Sequence, residues 1–200
     1  MKVHRWIRTL LLVWLCAAAA SAAEPTKPER ELFEQTKAKA NKGDAEAQLQ
    51  LAEFYTTGMG VTRSLKTAAK WHRKAAEQGL ARAQYQLAED YADGEGVKSD
   101  DEEALKWYRK AADQGMVEAQ LAVGLSYIGG HGTRVNAPEG VKWLRLAVEK
   151  GSPRAEYELG KCYLDGAGVS KDINEGVKWI RHAAEAGDPV AQRRAGLAFM

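Results

Sequence analysis

One interval of 36 residues recurs through most of the chain and constrains its fold more than any other feature. It separates four tryptophans, Trp71, Trp107, Trp143 and Trp179, and likewise four tyrosines, four pairs of glycines and five alanines. A fixed period of ~20 to 50 residues is typical of solenoids, in which one supersecondary unit stacks on copies of itself. The period therefore predicts a single stacked body rather than separate globular domains.

Each unit is predicted to contain two helices. The first begins beside residues suited to helix capping, such as Asp44 and Ser152, and ends at a glycine such as Gly58, which readily takes a left-handed conformation. The second begins at a good N-cap residue in every copy, namely Ser64, Asp100, Asn136 and Asp172. In three copies a glutamate follows three residues later, which is the capping-box spacing. The alanines and the tryptophan of this helix are expected to be buried, and its charged residues, Arg73 among them, to face solvent.

The stretch from Ala81 to Gly115 carries the order AxAQxxLAxxYxxGxGVxxD followed by AxxWxxKAAxQG. This order resembles the Sel-1-like repeat, a relative of the tetratricopeptide repeat, and the resemblance extends from about Gly43 to Met200. It implies an all-α fold, an α/α superhelical solenoid of antiparallel helix pairs, whose first helices line a concave surface that binds proteins or peptides. It also implies a non-enzymatic adaptor, scaffold or regulator, because the family is mostly non-catalytic.

The repeat boundaries divide the chain into consecutive segments. These are a signal peptide (1–23), a linker (24–28), an N-terminal capping helix (29–42), four repeats (43–78, 79–114, 115–150 and 151–186) and a C-terminal half-repeat that forms a second cap (187–200). Pro25 and Pro28 place 24–28 in a linker, because proline restricts helix formation.

The N-terminal segment has the three parts of a secretory signal peptide. Lys2, Arg5 and Arg8 give it a basic start, the apolar run LLLVWLCAAAA follows, and small residues suit cleavage near position 22 or 23. A retained anchor is one alternative, although the uncharged run is shorter than the ~20 residues that span a bilayer. Lipidation at Cys16 is the weakest alternative, since bulky Leu15 precedes it. We therefore expect a periplasmic or secreted protein with no stable membrane span after cleavage.

Charge and cysteine content restrict the class of partner and the possible disulfides. Without the three basic residues of the signal peptide, the chain keeps 26 basic and 27 acidic residues, so it lacks the excess basic charge that nucleic-acid binding requires. If Cys16 is removed, Cys162 remains alone and an internal disulfide cannot form. The expected partner is a protein or peptide, and not a nucleic acid.

The residue pattern does not indicate catalysis, a metal or a cofactor. His72, His131 and His182 stand at different repeat positions, without the spacing of metal ligands. The glycine pairs lack the third glycine and the preceding strand of a dinucleotide-binding loop, and no serine begins an SxxK motif. Some secreted cysteine-rich relatives have been labelled β-lactamases, so a hydrolase is one alternative and a structural protein of envelope assembly is another.

A partner-binding groove is expected on the inward face of the first helices. Its residues, taken by analogy with the tetratricopeptide pattern, are Glu53, Tyr85, Glu89, Leu121, Leu125, Ile128, Arg154, Tyr157, Lys161 and Arg193. Along the stack they grade from acidic through apolar to basic, so an apolar anchor would provide affinity and the charges would fix direction. In the alternative, the leucines pack on neighbouring helices and the charges are ordinary solvated surface.

Overall fold

The computed structural model describes residues 26–198, which form ten α-helices. The helices are α1 (Lys27–Asn41), α2 (Ala45–Thr57), α3 (Leu65–Glu77), α4 (Ala81–Asp93), α5 (Asp101–Asp113), α6 (Val117–Gly129), α7 (Ala137–Glu149), α8 (Pro153–Asp165), α9 (Ile173–Glu185) and α10 (Pro189–Ala198). The expected signal peptide, residues 24–25 of the expected linker and residues 199–200 lie outside the described part of the chain.

The helices pair as the 36-residue period predicts. Four hairpins, α2–α3, α4–α5, α6–α7 and α8–α9, form units 1 to 4, and each hairpin packs on the next. Helix α1 packs on the first hairpin and α10 on the last. Contacts between neighbouring units build an all-α superhelical solenoid. Among residues 26–198, no helix combines the length and apolar character that crossing a membrane requires.

The second helix of each unit starts where the N-cap residues predict. The side chains of Ser64, Asp100, Asn136 and Asp172 each accept a hydrogen bond from the backbone N–H three residues later. The glutamates at that third position do not complete a capping box. The carboxylates of Glu103 and Glu139 accept from the ammonium groups of Lys106 and Lys142, at 2.7 and 2.8 Å. The capping signal thus locates the helix start, while the glutamate forms an ion pair along the helix.

Helix α1 begins two residues earlier than the sequence suggested. Thr26 and Glu29 form a reciprocal capping box, in which the Thr26 N–H donates to Glu29 Oε2 at 2.7 Å. Pro28 lies inside the first turn, not in a linker, because a proline there does not need its missing N–H. The capping box at Thr26 therefore starts the helix, and Pro28 does not prevent it.

The loop glycines bring consecutive units into backbone contact. Gly94 ends α4 in the left-handed conformation, with φ +73°, as the first glycine of each pair was predicted to do. The second glycine, Gly96, also has positive φ, and a side chain there would overlap the backbone of Leu65 at the start of α3. The same close approach joins Gly60 to Glu29, Gly132 to Asp101 and Gly168 to Ala137. The glycine pairs therefore serve helix termination and stacking.

The hydrophobic core runs along the stack as a series of clusters. Leu51, Leu87, Val123 and Leu159 are fully buried at one position of the four successive first helices α2, α4, α6 and α8. Trp107 is buried, and the other three tryptophans of the repeat are half-buried and pack against these clusters. The four indoles thus lie in the interfaces between helices, although only Trp107 is as fully buried as predicted.

Arginine–tyrosine hydrogen bonds also connect consecutive units. Arg73 donates to the Tyr91 hydroxyl at 2.5 Å, and Arg109 and Arg145 donate to Tyr127 and Tyr163 in the same way, at 3.3 and 2.8 Å. The expectation that Arg73 only faces solvent was wrong, because its guanidinium reaches the next unit. The signal was present in the sequence, since this arginine recurs at the 36-residue step.

Candidate partner-binding surface

The ten residues of the expected groove occupy four positions of the repeat. Tyr85, Leu121, Tyr157 and Arg193 are equivalent, as are Glu53, Glu89, Leu125 and Lys161, while Ile128 and Arg154 occupy the other two. They lie on α2, α4, α6, α8 and α10, and the surface they form is called the first-helix face. Arg193, at its C-terminal end, is exposed.

The N-terminal part of this face is polar and aromatic. Glu53 and Arg82 form an exposed ion pair, with 3.7 Å between Oε1 and Nη2. Tyr85 is half-buried, and its ring centroid lies 5.5 Å from that of Tyr108. The Tyr108 hydroxyl donates a hydrogen bond to the Glu89 carboxylate. The structure therefore brings Tyr85 and Glu89 together around Tyr108.

Two adjoining depressions lie on this part of the face. One, of about 360 Å³, extends from Lys39 of α1 to Arg82 of α4. The other, of about 270 Å³, lies between α2, α4 and α6 and is called the α2–α4–α6 pocket. Its lining residues are Leu49, Glu53, Arg82, Tyr85, Gln86, Met116 and Glu118. Because the two depressions share three of these residues, they form one trough that crosses four helices.

The Tyr85 hydroxyl lies among negative charges. Burial and, after it, the carboxylates of Glu89, Glu118 and Asp93 raise the pKa of Tyr85 to about 12. Ionisation would add a further negative charge in partly desolvated surroundings. Tyr85 therefore remains a neutral phenol at physiological pH.

The apolar middle of the first-helix face is partly used by the fold. Leu121 and Ile128 pack against the core cluster that contains Leu144 and Leu159. This agrees with the alternative in which such residues pack on neighbouring helices. Leu125 is half-buried, so part of its side chain stays accessible.

The basic end of the face is partly neutralised. Arg154 and Lys161 both pair with the buried carboxylate of Glu158, at N–O distances of 2.9 and 2.8 Å. Tyr157 is only 5% exposed and packs against Ile180, so it belongs to the core of unit 4 and does not present a binding surface. The expected gradient from acidic to basic is therefore weaker at its basic end.

The three histidines occupy different surroundings. His72 Nδ1 lies 2.7 Å from Asp90 Oδ2, and both residues are buried at the junction of units 1 and 2. His182 Nδ1 lies 2.7 Å from the buried Glu156, whereas His131 is exposed. In the described part of the chain, no group of three or more His, Cys, Asp or Glu side chains is arranged to hold a metal ion.

Cys162 is a buried thiol in α8. Burial, reinforced by the charge of Glu158, raises its pKa to about 11. A thiol with such a pKa is protonated at neutral pH and is a poor nucleophile. Its packing against Leu144 and Leu159 indicates a structural role.

Sequence reasoning missed two residues of this surface. Met116 precedes the first residue of α6, and nothing in its local pattern indicates that it lines a pocket. Glu158 could have been found, because Arg154 and Lys161 stand four residues before and three residues after it, at the spacing of helical ion pairs.

Four copies of the Sel1 repeat family model match residues 45–80, 81–116, 117–152 and 153–188. Similar solved structures include a protective antigen of uropathogenic Escherichia coli strains that displays an SLR fold, with 41% identity and a TM-score of 0.78. That match covers 82% of this chain and 35% of the antigen. A Sel1 repeat protein from Oxalobacter formigenes is 34% identical, with a TM-score of 0.75, over 83% of this chain and 68% of that one.

A chitin synthase regulator of Saccharomyces cerevisiae is 36% identical over an alignment of 84 residues, and the match covers 38% of this chain and 12% of the regulator. The chain thus spans only a small part of that protein. Sel1 repeat proteins are generally protein-interaction modules. Because four consecutive matches cover the hairpins from α2 to α9, the chain belongs to the Sel1 repeat family.

Proposed function

We propose that this chain is a non-enzymatic adaptor, scaffold or regulator that holds a segment of a partner protein along its first-helix face. The observation that supports this most is the trough across α1, α2, α4 and α6, where a half-buried tyrosine stands beside apolar and acidic side chains. In protein interfaces, aromatic anchors in partly desolvated pockets contribute much of the binding energy, and surrounding charges fix orientation.

The charges of the face favour one orientation of the partner. The carboxylates of Glu158 and Asp188 together offset the charges of Arg154 and Lys161, so the acidic side chains of units 1 and 2 exert the stronger field. A segment with basic residues therefore gains most by placing them over α2 and α4. Its apolar residues then extend toward the accessible part of Leu125 in unit 3.

Site-specific photo-crosslinking tests the face. We expect a variant with p-benzoylphenylalanine in place of Leu125 to capture a partner in the native cells. The matched variant carries the same residue in place of Val135, which is 66% exposed in the loop after α6, and should not capture it. Mass spectrometry identifies the captured chain, and circular dichroism checks that both variants fold. Equal capture from both positions, capture from Val135 alone, or capture from neither would contradict the proposal.

We also propose a periplasmic or secreted location, supported by the basic start and apolar run of residues 1–23. The protein recovered from its native source should begin near residue 23 or 24 and lack Cys16. Intact mass spectrometry after cell fractionation measures this. A full-length chain in the cytoplasmic fraction would contradict it.

A further inference from the structure

The α2–α4–α6 pocket has a composition that the repeat does not reproduce one unit later. Glu53, Arg82, Tyr85 and Glu118 line the pocket, and the equivalent positions in the next unit hold Glu89, Glu118, Leu121 and Arg154. The aromatic ring is thus replaced by a leucine that packs into the core, while both sites hold two carboxylates and one arginine. What distinguishes this location is the aromatic wall beside the carboxylates.

The pocket has an apolar floor and a fixed aromatic wall. Leu49 is buried, and Met116 is half-buried in the same cluster as Tyr85. The Tyr85 ring is inclined by 55° to that of Tyr108, whose hydroxyl is bonded to Glu89. A volume of about 270 Å³ is below that of most small-molecule sites and suits one long side chain.

The electrostatic surroundings of the pocket favour a cation. Glu53 and Glu118 line it, and Glu89 and Asp93 lie close enough to Tyr85 to oppose its ionisation. Arg82 provides one positive charge, but its pair with Glu53 is exposed and 3.7 Å long. Exposed pairs of this kind are weak, so an incoming cation can compete for Glu53. The face of a neutral tyrosine ring also attracts cations.

We propose that this pocket receives one arginine side chain of the partner segment. The guanidinium stacks on Tyr85 and donates to the carboxylates of Glu118 and Glu53, while its methylene stem lies on Met116. Arginine fits better than lysine, because its planar group stacks on aromatic rings and pairs with carboxylates through two hydrogen bonds. Its stem also covers apolar surface while the charge stays at the rim. The inference rests on the proposed function, since the arginine is carried by a chain that the first-helix face binds.

Methyl NMR of the purified protein tests this assignment, because Met116 lies in the pocket and Met59 lies exposed in the loop after α2. We expect the peptide acetyl-Gly-Arg-Gly-amide to shift the Met116 methyl resonance saturably and to leave Met59 unchanged. The citrulline peptide keeps the shape of arginine without its charge and should shift it much less. The lysine peptide should bind more weakly than the arginine peptide, and added salt should weaken both.

Variants make the test specific. Glu118→Gln and Tyr85→Leu, which copies Leu121 of the next unit, should each weaken binding of the arginine peptide about threefold or more. Glu77→Gln, on the exposed side of α3, is the matched control and should leave binding unchanged. Circular dichroism checks that each variant remains folded.

Equal shifts from the arginine and citrulline peptides, or unchanged binding in the Glu53→Gln, Glu118→Gln double variant, would overturn the assignment. If the arginine peptide does not bind while cross-linking at Leu125 still captures a partner, the pocket assignment is wrong and the first-helix face remains the binding surface. If both experiments fail, both proposals fail.

Discussion

Single residues at the junctions between units differ from one junction to the next. Between α3 and α4, His72 and Asp90 form a buried polar pair with 2.7 Å between Nδ1 and Oδ2. Between α7 and α8, the equivalent positions hold Leu144 and Cys162, which are also buried. A polar pair and an apolar pair can therefore fill the same space. What this space does not tolerate is one buried polar group without its partner.

We expect His72→Leu to lower the free energy of unfolding by about 3 kcal/mol, because the Asp90 carboxylate would stay buried without a partner. The double variant His72→Leu, Asp90→Ala should recover most of this loss, since it removes both polar groups. Urea unfolding at one fixed pH measures both values. A double variant that is less stable than the single one would contradict this account.

Helix α9 shows how a following unit buries side chains of the helix before it. Val177 occupies the position of Ala69, Leu105 and Val141, which are all buried by the next unit. It is 46% exposed, because α10 provides a first helix and the described residues contain no second helix after it. The same position is thus a core site within the stack and a surface site at its end.

This difference predicts responses of very different size to one substitution. Val141→Asp should lower the free energy of unfolding by roughly 3 kcal/mol or more, since it buries an unpaired charge. Val177→Asp, its matched control, should change it by less than about 0.5 kcal/mol. Thermal unfolding followed by circular dichroism compares the two. Similar losses at both positions would show that Val177 is covered in solution.

The helix boundaries were largely predictable, because the signals that set them are local. Asp100 caps a helix and Gly94 ends one through bonds within a few residues of each. The start of α1 is an exception, because the prolines predict a linker to residue 28, whereas Thr26 caps a helix that begins two residues before the predicted start. Burial across units was not predictable in this way. Tyr157 packs against Ile180 and accepts a hydrogen bond from Arg194 of α10, whereas the positions equivalent to these two residues around Tyr85 hold Tyr108 and Ala122.

For the whole molecule, the repeat determines the solenoid but not what it binds. Glu53, Glu89, Leu125 and Lys161 occupy one repeat position and change from acidic through apolar to basic along the stack. The sequence therefore predicts a face whose charges are graded, and its role in binding stays a prediction. The pairing of Glu158 with Arg154 and Lys161 follows from their helical spacing, whereas the burial of Glu158 depends on contacts between helices. Specificity lies in the residues that differ between units.

The backbone contacts at the loop glycines have one more consequence. Since Gly60, Gly96, Gly132 and Gly168 leave no side chain between a loop and the preceding helix start, the spacing from one hairpin to the next is set by main-chain atoms. We therefore expect neighbouring hairpins to keep a constant spacing along the stack. A peptide that contacts two hairpins at once must then carry its two recognised side chains at a separation equal to the spacing of the hairpins. One residue inserted between those two side chains would move the second one away from its hairpin.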